Sequence, residues 1–238
     1  MVLISLFIGI KVIVSMIVNK EYLKLYLAAD KFALGIKYKK PKVTDTIWKY
    51  QIALRKSEYF RNSPANLLNS IFSAFYKYRK YRLGLLLGFD IGDNVFGPGL
   101  RINHFGNIVV SPLASVGMWC DIHQGTNIGA NNGKHGEQYV PTLGHNIYIA
   151  PGVKVFGDIY IGDNNVLGAN AVVNKSSHES LTLGGVPAKV INNSGTEVLN
   201  VSASPSRTDK FIELYPEYSN LLKNYKSTFD KKHKKQNV

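Results

Sequence analysis

The stretch SVGMWCDIHQGTNIG (115–129) returns on itself every six residues, with an aliphatic residue leading each pair at Val116-Gly117, Ile122-His123 and Ile128-Gly129. After an interruption the same phase resumes in TLGHNIYIAPGVKVFGDIYIGDNNVLG (142–168), at Leu143-Gly144, Ile149-Ala150, Val155-Phe156, Ile161-Gly162 and Leu167-Gly168. A fixed period kept through two blocks means one structural unit stacked many times. Six residues are too few for a helical hairpin, so each hexad is read as a short strand plus a turn. Three hexads then close one triangular coil of a parallel β-helix. The aliphatic residue points into the prism, and the small residue after it lets the chain turn the corner.

Composition limits what surrounds this region. The 238 residues suffice for one large or two modest domains, and 45% hydrophobic content supports a substantial core. A single cysteine, Cys120, excludes an intrachain disulfide framework and fits a reducing, cytoplasmic compartment. It is read as a buried filler rather than a nucleophile. The net charge of +13 is uneven: residues 1–82 hold 16 Lys and Arg against 4 acids, residues 83–195 hold 5 against 7, and residues 196–238 hold 8 against 5. Basic flanks around a near-neutral repeat suit an anionic membrane surface or an acidic polymer. No nucleic-acid motif accompanies them, so nucleic acid is not expected as a partner.

Residues 2–18 (VLISLFIGIKVIVSMIV) are apolar but short for a membrane span, with Lys11 in the middle. They lack the flanks of a signal peptide and read as a helix packed in the assembly or lying on a membrane. A helix over 20–34 should end at Gly35. A second, capped by Thr44 or Asp45, should run to about Phe60. Ser63-Pro64 should start a third, with Leu67, Leu68, Ile71, Phe72 and Phe75 on one side, followed by YKYRKYR (76–82). The tail should be partly helical from Thr208, broken at Pro216 and frayed at its end. The expected units are a helical N-terminal domain (1–88), a β-helix (89–191) and a short helical tail (192–238). Two stretches break the period: Phe105-Gly106-Asn107 and the longer Asn131–Thr142, which contains His135. Loops that interrupt a regular solenoid are natural places for function.

The hexads, together with Gly184-Gly185-Val186-Pro187-Ala188-Lys189, resemble the hexapeptide-repeat acyltransferases. The similarity is greatest to the serine acetyltransferase-like group, which also includes enzymes that acetylate capsule and exopolysaccharide sugars. The resemblance covers roughly 89–191 and implies a left-handed β-helix, a mainly β fold, with acetyl-CoA as acetyl donor. It also implies a homotrimer with active sites between subunits, and in the serine acetyltransferases a hexamer built through the N-terminal helices. Ile102-Asn103-His104-Phe105-Gly106 is similar to the family's Leu-Asp-His-Ala-Thr-Gly, whose histidine is the general base; Phe89-Asp90-Ile91 is similar to the Val-Asp-Ile whose aspartate orients it. The separation is one residue shorter than the family's. Histidine suits the base role because its unperturbed pKa is about 6.5.

The family's second histidine, which helps hold serine, is replaced by Val140; His135 is the candidate to approach the site in its stead. That substitution favours a saccharide acceptor over serine. Ile122-His123-Gln124-Gly125 has the Ile-His-Gln-Gly form common in the group, so His123 and Gln124 are candidate acceptor contacts. By the same resemblance the donor lies along Ala150, Gly168, Ala169, Gly185, Val186 and Pro187, with Lys189 meeting a phosphate. His145 is expected in a solvated turn. A γ-carbonic-anhydrase-like zinc enzyme is a competing reading, but the separations among His104, His123, His135 and His145 lack the close pair such a site needs, and no metal is expected. A non-catalytic scaffold is the remaining alternative.

Overall fold

A computed structural model describes residues 16–134, 136–199 and 201–233. Most of the apolar segment 2–18, as well as His135 and residues 234–238, therefore lie outside the described residues. Among the described residues, three helices, α1 (Lys20–Ala33), α2 (Thr46–Asn62) and α3 (Leu67–Leu87), precede sixteen short strands, followed by α4 (Ser206–Leu214), a 3-10 turn (Pro216–Tyr218) and α5 (Ser219–His233).

The hexad period becomes three faces of a parallel β-helix. The first face stacks β1 (Phe89–Ile91), β3 (Ile108–Val110), β6 (Asn127–Gly129), β11 (Lys154–Phe156) and β14 (Val172–Val173). The second stacks β2 (Arg101–Ile102), β5 (Asp121–Ile122), β10 (Tyr148–Ile149), β13 (Val166–Leu167) and β15 (Thr182–Gly184). The third stacks β4 (Ser115–Val116), β9 (Thr142–Leu143) and β12 (Tyr160–Ile161). All eight hexad aliphatics are fully buried, at 0% exposure. Apolar ladders such as Ile91–Val110–Ile128–Val155–Val173 thus fill the prism. Parallel stacking stops at β15, short of the expected Ile191. Gly185 takes φ +94° and the chain reverses, so that β16 (Lys189–Asn192) runs antiparallel and exposed. The insertion at 131–142 includes an exposed antiparallel pair, β7 (Asn131–Asn132) with β8 (Gln138–Tyr139).

The helices sit on the first coils. α1 ends as expected: Gly35 has φ +71°, its N–H donates to Phe32 O, and that of Ile36 donates to Lys31 O. The start of α3 differs from expectation. Ser63 Oγ donates to Tyr59 O and so closes α2, while the side chain of Asn66 accepts from Asn69 N at 2.8 Å and begins the helix at Leu67. Likewise Asp45 makes no side-chain cap bond to α2. It accepts instead from Tyr38 Oη and Lys42 N, which tightens the α1–α2 loop.

Arg55 pins α1 and α2 to the first coil. Its guanidinium is fully buried, with Asp30 at 2.7 Å and Glu58 at 3.1 Å, and it donates to the carbonyls of Phe96 and Gly97. Asp30 in turn accepts from the N–H groups of Gly99 and Leu100. Every arm of this charge cluster is therefore matched, the condition under which buried ions are tolerated.

The tail is more structural than its polar sequence suggests. Phe211, Leu222, Tyr225 and Phe229 of α4 and α5 join Leu25, Tyr26 and Ala29 of α1 around Trp119, forming a second core outside the prism. Trp119 protrudes at φ +61°, and a Cβ at Gly99 would lie 2.1 Å from its ring. Arg207 adds an ion pair to the fully buried Asp121 at 3.0 Å. Among the described residues, no helix is long and apolar enough to cross a membrane.

Candidate active site

Strand register assembles the site. On the second face Ile102 pairs with Ile122, Ile122 with Ile149, Ile149 with Leu167 and Leu167 with Leu183. The residues after these stack down the corner where that face ends: Asn103, His123, Ala150, Gly168 and Gly184. Backbone bonds hold the column, with Asn103 N donating to Ile122 O, His123 N to Ile149 O, Ala150 N to Leu167 O and Gly168 N to Leu183 O. One position further along come His104, Gln124, Pro151, Ala169 and Gly185. A single edge of the prism thus carries the expected base, two expected acceptor contacts and four of the expected donor contacts.

At the top of this edge His104 is exposed and its ring lies 6.0 Å from that of His123. His123 is half-buried, 5.0 Å from the Tyr148 ring, with Nε2 at 2.8 Å from Asn103 Nδ2. Donation from that amide makes Nε2 an acceptor and puts the neutral ring's proton on Nδ1. Burial lowers the pKa of His123; Asp121 pulls it back up, and His104 adds to the lowering. Two imidazoles at one corner therefore differ: one faces solvent, and the other is held neutral within a fixed bond. Below them, the buried Gln124 Oε1 has no hydrogen-bond partner among the described residues. An orphaned acceptor beside two histidines is positioned to take a hydroxyl proton donor.

Asp90 lies elsewhere. It is exposed on the first face, opposite Val109 of β3, and among the described residues neither a hydrogen bond nor an ion pair joins it to His104. The physical reason is the corner at 103–107, which separates the second face, ending at Asn103, from the first face, resuming at Ile108. The expected imidazole–carboxylate bond is not formed in this arrangement.

The expected solvated His145 is instead 1% exposed. Its Nδ1 accepts from Met118 N at 3.0 Å, its Nε2 is 3.3 Å from Asp230 Oδ1, and Phe229 packs on its ring at 4.8 Å. Helix α5, whose docking the sequence did not reveal, covers the turn. Burial works to raise the Asp230 pKa, but the hydrogen bond from His145 and the charge of Lys226 hold it down to about 2. His145, Asp163 and Asp230 bring donor atoms within 4.8 Å of one another, yet Lys226 Nζ lies 3.2 Å from Asp230 and 3.5 Å from Asp163 and supplies the positive charge there. Cys120 is buried, and burial raises its thiol pKa well above the ordinary value, with Asp121 adding to the rise. This is the opposite of what activates a nucleophile.

Two concavities flank the edge. One, of about 340 Å³, is walled by Leu34, Ile36 and the stretch from Thr44 to Trp48, and opens on Ile102, Asn103 and Phe105. The other, of about 360 Å³, lies between Val173, Lys175, His178, Pro187 and Lys189 near the base of the column. Two lysines at a groove beyond exposed Ala169, Gly185 and Val186 fit an elongated ligand with anionic phosphates. Sequence reasoning missed Asn103, Tyr148 and the α1–α2 loop. Asn103 was readable as the neighbour of His104, but the other two are brought in only by coil stacking and helix docking.

No family model matches the chain. A serine acetyltransferase of Synechococcus elongatus is 35% identical over 133 residues, 55% of this chain and 54% of that protein. A serine acetyltransferase of Mycobacterium tuberculosis is 37% identical over 111 residues, 46% of this chain and 48% of that protein. The chain thus spans about half the length of these curated relatives. Among solved structures, a serine acetyltransferase from Brucella abortus superposes with a TM-score of 0.53 at 23% identity, over 74% of this chain and 69% of that one. A serine acetyltransferase in complex with CoA gives 0.52 at 22%, over 72% and 71%. At these identities the structural matches establish the fold: an N-terminal helical region, a parallel β-helix and a C-terminal helix. None of these relatives bears on capsule or exopolysaccharide.

Proposed function

We propose that this protein is an acetyl-CoA-dependent O-acetyltransferase with its chemistry at the His104 corner. The observation that carries the reading is the register column, which lines up His104, Gln124, Ala169 and Gly185 on one edge. The relatives' names and the CoA-bound neighbour support the acetyl donor. The donor would extend along the exposed small residues of the column toward Lys189 and Lys175, with its thioester beneath the histidines. His104 takes the proton of the acceptor hydroxyl as the oxygen attacks the thioester carbonyl. The carbon–sulfur bond then breaks, and the thiolate recovers a proton from the imidazolium. Gln124 Oε1 accepts from a second N–H or O–H of the acceptor molecule, leaving the proton of the attacking hydroxyl to His104. Asp90, on the first face opposite Val109, has no step in this sequence. A trimer, with donor grooves between subunits, is the assembly the fold supports.

For the acceptor, the relatives favour L-serine, reversing the preference that Val140 suggests by itself. A saccharide hydroxyl is kept as a second reading because Val140 is 7% exposed and apolar where serine's second histidine would stand. The test is thiol release from acetyl-CoA with L-serine and, separately, with de-O-acetylated polysaccharide, for wild type and His104→Ala. Serine-dependent release lost in the variant supports the first reading, and polysaccharide-dependent release the second. Turnover that survives His104→Ala removes His104 as the base.

A further inference from the structure

Helix α3 is amphipathic in the wrong direction for a helix that belongs only to this fold. Its apolar residues Leu67, Leu68, Ile71, Phe75, Leu85 and Leu86 all face away from the protein, with Leu67, Leu85 and Leu86 between 64 and 77% exposed. The side turned inward mixes polar and small residues, Asn69, Ser73, Lys80 and Gly84, with Leu83 and Leu87 against the prism core and Phe72 and Tyr76 stacked on Phe60. At 100° per residue the outward residues form one stripe along 21 residues, roughly 30 Å. Tyr78, Arg79 and Arg82 lie within that stripe and are also exposed. A contiguous apolar face of this size on a protein surface marks an interaction site.

Charge decides among the occupants. Helix α3 contains no Asp or Glu. Pairing it with a second copy of itself would set Arg79 and Arg82 against an equally basic, apolar face. Covering it with the chain's own residues 1–15 would add Lys11 and no acid. An anionic bilayer supplies both missing complements, hydrocarbon for the leucines and phenylalanines and phosphate for the guanidiniums, with tyrosines suited to the headgroup level. Independently, Asn62 at the end of α2 bonds Ile17 O. Ile17 therefore lies beside the turn from which α3 starts. We propose that the outward face of α3 docks on an anionic lipid bilayer, with the helix lying in the headgroup plane.

The test is flotation of the full-length protein with vesicles of phosphatidylcholine alone and of phosphatidylcholine with phosphatidylglycerol. Wild type should float with the anionic vesicles, less with the neutral ones, and be released by salt. Because the substituted side chains are exposed, Ile71→Ser/Phe75→Ser/Leu86→Ser should keep the wild-type melting temperature and lose flotation. Arg79→Gln/Arg82→Gln should weaken partitioning about 30-fold, each charge being worth about a fivefold change near an anionic surface. Three results would overturn the proposal. Wild type fails to float, or the serine variant floats like wild type, which assigns binding to residues 1–15. Alternatively, the serine variant breaks a larger oligomer in vesicle-free solution while wild type shows no lipid preference, which assigns the face to a second copy.

Discussion

Replacing Arg55 by Met tests how the helices are held over the candidate site. The substitution keeps most of the side-chain volume and removes the charge. It leaves Asp30, 2% exposed, with only the Gly99 and Leu100 N–H donors, and Glu58 with only the N–H of Asn94. The carbonyls of Phe96 and Gly97 lose the guanidinium hydrogen bonds as well. Removing one partner of a fully buried ion cluster costs about 3–5 kcal/mol, since the remaining charges stay desolvated. For a chain of this size that is about 6–20 °C in melting temperature. The assay is urea denaturation of Arg55→Met, of Asp30→Asn and of the double variant. The two single losses should be far from additive, because once the arginine is gone the aspartate has no cationic partner left to lose. The loop between α1 and α2 walls the concavity that opens on Asn103. Acceptor KM should therefore rise in Arg55→Met even under conditions where the protein stays folded. A loss below about 1 kcal/mol, or additive single losses, would refute the pinning argument.

Gln124→Ala should raise the KM for the hydroxyl acceptor, lowering kcat/KM about tenfold while the KM for acetyl-CoA stays put; equal effects on both substrates would remove Gln124 from the acceptor side. Burial, against the pull of Arg55 and with Asp93 adding to it, pushes the Glu58 pKa up to about 7. The folded protein then holds a proton between about pH 4.5 and 7 that the unfolded chain has released. The resulting stabilisation is full below about 4.5 and is lost as pH rises through about 7. Glu58→Gln should flatten the pH dependence of stability across that window, and a variant whose slope matches wild type's would contradict it. Phe229→Ala should cost about 3–5 kcal/mol by opening the second core, readable as a melting shift, with no change expected if the tail merely rests on the surface.

The prism was legible in the sequence because its physics is local and periodic. An aliphatic residue every sixth position can be buried in only one way, and all eight were. The corner column was legible for the same reason, since stacking follows once the period is known. What failed were contacts between distant segments. Nothing near Leu143-Gly144-His145 announces that Phe229, over eighty residues later, will cover that turn. Nothing in Phe89-Asp90-Ile91 says that a corner will divide Asp90 from His104. Ser63 and Asn66 both had cap-forming side chains; the choice depended on whether Ser63 was already committed to Tyr59 O, a fact about the preceding helix.

The two histidines of the corner can be ranked by what surrounds them. His123 is stacked beside Tyr148, bonded to Asn103 and kept neutral by burial. Its Nε2 already accepts a bond, so taking a substrate proton there requires breaking that bond first. His104 faces solvent and donates to no protein group among the described residues. A base must meet a hydroxyl that arrives from outside, and must release its proton afterward to the departing thiolate. The freer imidazole satisfies both demands, while the fixed one keeps a like charge from forming beside it. A second imidazolium 6.0 Å away would repel the charge that forms on the base during transfer, and a neutral His123 avoids that repulsion. On this argument His123→Gln, which cannot be charged, should leave kcat nearly intact, whereas His123→Lys should lower the kinetic pKa of the His104 step. A pH–rate profile separates the two, and an unmoved pKa in the lysine variant would show that the pair is not electrostatically coupled.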